Sequence, residues 1–343
     1  MATTTKPQAH ESAMTESNPF DTLMTMAGSA CLPRCLHVVA DLGVADALDD
    51  EPKTVVELAQ SVGAHAESLG RVLRLLSAHG VFEVDGGVVR HSPASRLLRS
   101  DHPQSMRALA RMFSLYVNWN AYSEFEHSVR TGQPATTKTL PRGFWDYFKE
   151  NPEQSRIFNE AMVAKAQAQI PAVVSAYDFS QFGTIADIGG GRGHLLQAVL
   201  AANRSAKGIL FDLPNVIQDA AGAASDRLKL HPGDFFKDPL PAADAYIIME
   251  VIHDWADKES LDIFKAIRRA AKPGVSLLVV EQLVPNVPGP HWSKMLDIHM
   301  LTLVGGLQRT REEYDALLSR AGFELVRVHP TRSDCSIMEA RAA

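Results

Sequence analysis

The sequence predicts an α/β protein in which a mainly parallel sheet, with helices on both faces, follows an α-helical N-terminal part of winged-helix type. From residue 183 onward, seven short β-rich runs alternate with helical stretches, which is the pattern of such a sheet. Between residues 54 and 91, two helical segments precede two β-rich runs separated by Asp85-Gly86, which predicts helix, helix, hairpin. A length of 343 residues leaves room for about two domains.

The composition is that of a soluble globular chain, since 45% of the residues are hydrophobic and 22% are charged. A net charge of -6 argues against a nucleic-acid partner. The apolar runs are shorter than the roughly 18 to 20 residues of a membrane-spanning helix, so no membrane partner is predicted. Residues 1–18 are mostly small and polar and lack a signal-peptide core, which predicts a disordered tail and a cytoplasmic location.

Residues 19–105 are predicted to form the winged-helix domain. Apolar residues recur at helical spacing from about residue 24 to 47, and Thr54 with Glu57 three positions later predicts a capping box. Winged helices often bind DNA, which requires a basic surface, but residues 51–100 hold six Lys or Arg against five Asp or Glu. The apolar stripes of these helices favour a homodimer instead.

The remaining chain divides into a helical connector over residues 106–178, rich in aromatic and methionine side chains, and the α/β domain over residues 179–343. The three cysteines are too few and too scattered for a disulfide framework or a zinc site. The 13 histidines form no HxH or HExxH arrangement. No metal is therefore predicted.

A glycine-rich turn, DIGGGRG, follows the first β-rich run of the α/β domain and opens a helix. Gly189, Gly191 and Gly193 give the spacing GxGxG, and His194 stands where a dinucleotide fingerprint would place its last glycine or alanine. A hydride-transfer cofactor is therefore disfavoured. The glycines still permit a tight turn and the approach of a ligand to bare backbone.

The next two strand ends carry acidic residues. Asp212 lies 21 residues after Gly191, where its carboxylate can accept hydrogen bonds from both hydroxyls of a ribose. Asp234 can accept from an adenine amino group, and Phe235 or Phe236 can cover the base. An adenosine held by carboxylates, with no phosphate site, points to S-adenosylmethionine (SAM).

His253 follows the apolar run AYIIMEVI and is predicted just beyond the carboxyl end of a strand. A phenol has a pKa of about 10 and histidine one of about 6.5, so an enclosed imidazole can help to ionise a hydroxyl. On spacing alone, a hydrogen-bonded structural histidine is equally compatible with this position.

The segments DIGGGRG, FDLP, GDFF, DAYIIMEVIHDW and GGLQRTREEYDALLSRAGF resemble the class I small-molecule O-methyltransferases that carry an N-terminal winged helix. That family includes plant caffeic-acid-type enzymes and bacterial enzymes that tailor polyketides and phenazines. The resemblance implies a Rossmann-like SAM-methyltransferase domain, a dimerising winged helix, and central helices that wall an aromatic or polyketide-like acceptor.

The resemblance also implies roles for single residues. Those predicted to contact the cofactor are Gly189, Gly191, Asp212, Asp234, Phe235 and Met249. His253 is implied as the base and Glu281 as its acidic partner. The segment FNEAM places Phe158 and Met162 beside the acceptor, and LDIHMLTL does so for Asp297 and Met300. Core packing remains equally compatible with Met300, and a surface or capping role with Asp297.

Two positions depart from the family pattern. Gln308 stands where the family has a second acid beside the histidine, and an amide supplies no charge. Met249 replaces a Lys or Arg that many members carry near the SAM carboxylate. The favoured function is SAM-dependent methylation of a phenolic or enolic hydroxyl. A SAM-binding hydroxylase or decarboxylase, and a winged-helix regulator, remain as alternatives.

Overall fold

A computed structural model of the chain describes residues 18–343. The predicted tail lies outside these residues apart from Asn18, whose Oδ1 accepts a hydrogen bond from the backbone of Phe20 and caps the first helix. The chain divides into two compact units between Arg99 and Ser100.

The N-terminal unit has the winged-helix order that the sequence predicts. Its helices are α1 (Pro19–Gly28), α2 (Cys31–Leu42), α3 (Val44–Leu48), α4 (Val55–Val62), α5 (Ala66–Ala78) and α6 (Pro93–Arg96). Its strands are β1 (Lys53–Thr54), β2 (Phe82–Asp85) and β3 (Val88–His91), paired antiparallel in the order β1-β3-β2.

Local sequence signals account for this arrangement. The Thr54 hydroxyl accepts from the backbone N–H of Glu57, and the Glu57 carboxylate accepts from the backbone of Thr54, so the capping box is present. Gly86 and Gly87 adopt positive φ angles of 55° and 80° in the two-residue turn between β2 and β3. The predicted helix, helix, hairpin order is thus confirmed.

The second unit begins with six helices that precede its sheet. They are α7 (Arg107–Ser114), α8 (Tyr116–Ser123), α9 (Phe125–Thr131), α10 (Thr136–Thr139), α11 (Phe144–Glu150) and α12 (Pro152–Ala176).

A seven-stranded sheet follows, in the order β6-β5-β4-β7-β8-β10-β9. Strand β10 pairs antiparallel with both of its neighbours, β8 and β9. Its strands are β4 (Thr184–Ile188), β5 (Lys207–Asp212), β6 (Leu228–Pro232), β7 (Ala245–Met249), β8 (Ser276–Glu281), β9 (Phe323–Pro330) and β10 (Ser336–Ala342). The intervening helices are α13 (His194–Ala202), α14 (Pro214–Asp219), α15 (Asp257–Ala270), α16 (Trp292–Leu303) and α17 (Arg311–Arg320).

Alternate side chains of the central strands enter two different cores. On β7, Tyr246 and Ile248 pack with α15 and α17, whereas Ile247 packs on the opposite face with α12 and α13. A strand buried on both faces reads as a continuous apolar run, which is why AYIIM signalled one. The sheet is covered by helices on both sides, as predicted.

Candidate active site

The glycine-rich turn connects the end of β4 to the start of α13. Gly189, Gly191 and Gly193 all have left-handed backbone, with φ angles of 70°, 59° and 76°. A Cβ at Gly190 would lie 2.5 Å from the Asp187 carboxyl, whereas a Cβ at Gly191 would meet nothing within 4 Å. The turn is therefore packed tightly on its inner side and open at Gly191, where a ligand can approach the backbone.

Asp212 is the last residue of β5 and ties this turn to the neighbouring strand. Its carboxylate accepts from the backbone N–H of Gly191 at 2.8 Å and from that of Leu213 at 2.7 Å. Burial raises the pKa of Asp212, although both hydrogen bonds oppose the rise. Two oxygens with one backbone donor each retain capacity for the hydroxyl pair of a ribose.

Asp187 lies beneath the turn and was not singled out by the sequence reasoning. It is 1% exposed, and neither carboxyl oxygen has a hydrogen-bond partner among the residues the structure describes. Burial, reinforced by the nearby charge of Asp212, raises its pKa to about 7. Neither Asp187 nor Asp212 has a cationic side chain as a partner among the described residues.

Asp234 follows β6 and forms a turn of its own. Its carboxylate accepts from the backbone of Phe236 at 2.9 Å and from Lys237 Nζ at 2.8 Å, and the Lys237 hydrogen bond lowers its pKa. The ring of Phe235 lies beside the glycine turn, 3.8 Å from where a Cβ of Gly189 would be. Phe235 thus packs near Gly189, at the start of the turn.

His253 lies in a short 3-10 turn after β7, and Glu281 ends β8. The two side chains meet, with His253 Nδ1 2.6 Å from Glu281 Oε2. Glu281 Oε1 also accepts from the backbone N–H of Ile252 at 2.9 Å. In the neutral imidazole, Nδ1 donates to the Glu281 carboxylate and Nε2 keeps its lone pair, whereas both nitrogens carry protons below the pKa of His253.

Two carboxylates lie beside this imidazole, those of buried Glu281 and half-buried Asp254. Asp254 Oδ1 lies 3.5 Å from His253 Nε2. Burial alone would lower the pKa of His253, but the carboxylates of Glu281 and Asp254 outweigh that effect and raise it to about 9. Burial raises the pKa of Asp254 itself to about 6.

Gln308 is 2% exposed, yet its side-chain oxygen and nitrogen have no hydrogen-bond partner within residues 18–343. The loop that carries it is tied to the base, because the backbone N–H of Leu307 donates to the carbonyl oxygen of His253 at 2.9 Å. The backbone N–H of Gln308 donates to Asp297 Oδ1 at 2.9 Å. The structure thus gives Asp297, on α16, a role in holding this loop.

Arg309, the next residue, clamps the same loop to the turn of the base. Its fully buried guanidinium donates to Asp257 Oδ1 and to the carbonyl oxygens of Ile252, Trp255 and Leu307. A charge buried so completely needs this number of acceptors. The position of Arg309 in the segment GGLQRT could have drawn attention to it, but its contacts were not predicted from the sequence.

The predicted acceptor-side residues lie in different surroundings. Phe158 packs against Phe148, with ring centroids 4.7 Å apart, in an aromatic cluster between α11 and α12. Met162 and Met300 are half-buried, as is Met249 at the end of β7. A groove of about 690 Å³ follows α12 toward Arg192 of the glycine turn, and it is lined by neighbours of Phe158 and Met162, including Asn159 and Val163.

Comparison with known proteins defines the class. The model of the O-methyltransferase domain matches residues 122–324, and that of the O-methyltransferase dimerisation domain matches residues 24–101. The chain therefore belongs to the SAM-dependent O-methyltransferases, a family that tailors small natural products. The predicted fold class and cofactor are confirmed.

Individual relatives cover nearly the whole chain. A phenazine O-methyltransferase of Lysobacter antibioticus is 40% identical over 340 residues, 96% of this chain and 99% of its own length. A crystal structure of a neocarzinostatin-biosynthesis O-methyltransferase, in complex with SAM and 2-hydroxy-5-methyl naphthoic acid, has a TM-score of 0.79 at 33% identity and covers 93% of this chain and 98% of that one.

One relative differs in its chemistry. An aclacinomycin 10-hydroxylase of Streptomyces purpurascens is 32% identical over 341 residues, 94% of this chain and 91% of the relative. Full-length similarity of this kind is thus compatible with more than one reaction.

Proposed function

We propose that the protein methylates a phenolic or enolic hydroxyl of a small aromatic or polyketide-like molecule, with His253 as the general base. The observation that carries this proposal is the 2.6 Å contact between His253 Nδ1 and Glu281 Oε2, which leaves Nε2 of the neutral imidazole, the form present above the raised pKa of His253, free to accept a proton. The phenazine O-methyltransferase and the naphthoate-bound relative support an aromatic acceptor.

The base works through its fixed orientation. The acceptor hydroxyl transfers its proton to Nε2 of His253, and the imidazolium that results is stabilised by Glu281 and Asp254. His253 and Glu281 are buried, which removes water that would compete for the proton. The protein thereby supplies alignment and proton removal, the two requirements of an in-line displacement at oxygen.

The cofactor is assigned to the glycine-turn side of the sheet. Asp212 would bind the ribose hydroxyls, Asp234 the adenine amino group, and Phe235 the face of the base. Gly189 and Gly191 would admit the ligand to bare backbone, and half-buried Met249 would pack beside it without charge. When bound, SAM supplies the methyl group from its sulfonium.

Incubation with methyl-labelled SAM and a panel of phenols, quinolones and polyketides tests this proposal. Label transferred to oxygen in at least one acceptor is the expected result, and parallel reactions with a chelator test the prediction that no metal is needed. Failure of every acceptor in the panel to take up label, with SAM bound, would contradict it.

A second candidate is a SAM-binding hydroxylase or decarboxylase. The uncharged Gln308, in the position of the family's second acid, together with the full-length similarity to an aclacinomycin hydroxylase, favours keeping this alternative. Mass spectrometry of the same reactions separates the two, because methylation, hydroxylation and decarboxylation change the acceptor mass by different amounts.

We also propose a homodimer formed through the N-terminal unit. Helix α1 exposes Phe20, Leu23, Met24 and Met26 by 60% or more. Pro19–Leu42 is also, among the described residues, the one helical stretch long and apolar enough to cross a membrane. A subunit interface accounts for the same apolar surface, and the dimerisation-domain match supports that assignment over a DNA-binding regulator.

Light scattering of the full-length protein tests the dimer. We expect twice the chain mass at micromolar concentration, and dissociation after L23E and M26E are introduced together. A strictly monomeric wild-type protein would contradict the assignment. Fractionation of cells tests the predicted cytoplasmic location.

A further inference from the structure

A cluster of buried polar side chains borders the catalytic pair and takes no part in the mechanism above. Glu250, directly after β7, lies at its centre. Its backbone is left-handed, with φ 53°, a conformation that residues other than glycine, asparagine and aspartate rarely adopt. Such a backbone persists only where its surroundings fix it.

Three neighbours from different elements fix the Glu250 carboxylate. Lys165 of α12 forms an ion pair with Oε2. Gln282, which follows β8, donates to Oε1 at 3.2 Å, and the Cys335 thiol, just before β10, lies 3.5 Å from the same oxygen. Burial would raise the pKa of Glu250, but the charges of Lys165 and His253 lower it to about 2, so the carboxylate is ionised.

This carboxylate lies close to the base. Glu250, His253 and Glu281 each offer one nitrogen or oxygen such that the three atoms lie within 4.8 Å of one another. At about 4 to 6 Å, an anion favours the charged form of an imidazole. Gln308, in the position of the family's second acid, supplies no such charge.

We propose that Glu250 is a positioning residue that supplies a further negative charge to His253, beside those of Glu281 and Asp254, in place of the acid the family has at position 308. The inference rests on the proposed function, since it acts through His253 as the base. The proposal gives Lys165 two roles. Its ion pair holds the Glu250 carboxylate in place, and its positive charge offsets part of the negative charge of Glu250.

The other titratable groups around this cluster set the background. They are Asp254 in the turn of the base, Glu281 of β8, Tyr314 of α17, Cys335 before β10 and Lys165 of α12. Burial raises the pKa of both Tyr314 and Cys335, so these two remain uncharged in the working range. The ammonium of Lys165 is the cation paired with Glu250, and the fully buried guanidinium of Arg309 is bound to the turn of the base through the carbonyl oxygens of Ile252 and Trp255.

Glu250→Gln keeps the shape of the side chain and removes its charge. In the full-length enzyme, we expect the apparent pKa of the rising limb of the pH–rate profile to move to lower pH. The plateau kcat should fall roughly two- to tenfold, because a weaker base accepts the proton less readily. The affinity for S-adenosylhomocysteine, measured by calorimetry, should stay within about twofold.

The matched variant is Lys165→Met, which leaves the Glu250 charge unopposed and should move the same apparent pKa upward. A residue that only supports the fold would lower the rate without shifting the pKa in opposite directions. Titration of the His253 ring by NMR in the ligand-free protein, assigned with His253→Ala, gives the same comparison without turnover.

An unchanged His253 pKa in folded Glu250→Gln would overturn the proposal. If that variant does not fold, Lys165→Met decides, and the absence of an upward shift overturns it equally. The proposed function fails separately, when His253→Ala retains the wild-type rate. In the double variant Glu250→Gln, Gln308→Glu, a return of the His253 pKa to its wild-type value would support the proposal that an acid at either position can supply this charge.

Discussion

The glycine-turn side and the His253 side of the second unit lie at the same edge of one sheet, but they hold buried acids in different ways. Asp187 has no hydrogen-bond partner in the described chain, and Asp212 has only backbone donors. Glu281, by contrast, contacts the imidazole of His253 directly.

This difference separates two tasks. On the glycine-turn side, burial raises the pKa of both acids, and no cationic side chain of the described residues offsets it. On the His253 side, the proposed mechanism creates an imidazolium whose anionic partner, Glu281, is already in place, so that little rearrangement is needed when the proton moves. Four substitutions test this contrast, and removal of the base is expected to have the largest effect.

Removal of the base should have the largest consequence. We expect His253→Ala to lower turnover by roughly 10²- to 10⁴-fold, the range for a positioned general base, and to leave SAM affinity nearly intact. Single-turnover kinetics and calorimetry measure the two effects separately. Normal binding with a wild-type rate across pH 6 to 9 would reduce His253 to a structural residue.

The corresponding variant on the cofactor side should affect binding instead. Asp212→Ala should weaken S-adenosylhomocysteine binding by about 2 to 3 kcal/mol, because a carboxylate that takes two ribose hydrogen bonds is lost. Calorimetry on the folded variant measures this, with Asp226→Ala, an exposed position before β6, as a control. An unchanged affinity for S-adenosylhomocysteine would contradict the assignment of Asp212 to the ribose hydroxyls.

The unpartnered acid should reveal itself in the pH dependence of stability. The pKa of Asp187 is about 7 in the folded protein, above the ordinary value of 3.8, so its favourable contribution to folding is complete below pH 4 and is lost as pH rises through 7. Asp187→Asn should therefore gain stability relative to wild type over this range, by a few kcal/mol at most.

Urea unfolding of both proteins at several pH values, without ligand, measures that difference. A constant difference from pH 4 to pH 8 would mean that Asp187 titrates normally and has partners in solution. Bound SAM should reduce the pH dependence more than bound S-adenosylhomocysteine, which lacks the sulfonium, if the ligand supplies a positive charge to Asp187.

The smallest effect concerns position 308. Gln308→Glu should raise the apparent pKa of His253, since a nearby anion favours the imidazolium. With a weakly acidic phenol, kcat above that pKa should increase, whereas an acceptor already ionised at neutral pH should gain nothing. The pH–rate profiles of wild type and Gln308→Glu with the same acceptor measure this change. An unchanged apparent pKa of His253 would mean that the side chain at position 308 does not reach His253.

The sequence was sufficient where the signal is local or periodic. The capping box at Thr54, the turn at Gly86 and the apolar run of β7 each act within a few residues, and each could be located from its pattern. The pairing of His253 with Glu281 was implied by the family resemblance, because both residues follow recognisable strands.

Contacts between distant elements could not be predicted in this way. Lys165 and Glu250 lie 85 positions apart on a helix and a strand end, and their ion pair depends on how α12 packs on the sheet. The lack of a hydrogen-bond partner for the Asp187 carboxyl within the described residues could not be predicted either, because no sequence pattern signals it.

The clamp formed by Arg309 bears on how this family diversifies. It fixes the loop through main-chain carbonyl oxygens and Asp257, so the path of the backbone does not depend on the side chain at position 308. The side chain of Gln308 has no hydrogen-bond partner within residues 18–343. An exchange between glutamine and glutamate takes a single nucleotide change, and a loop held in this manner can tolerate it while the fold is retained. On the proposed mechanism, such an exchange would alter the basicity of His253 without any change in the path of the loop.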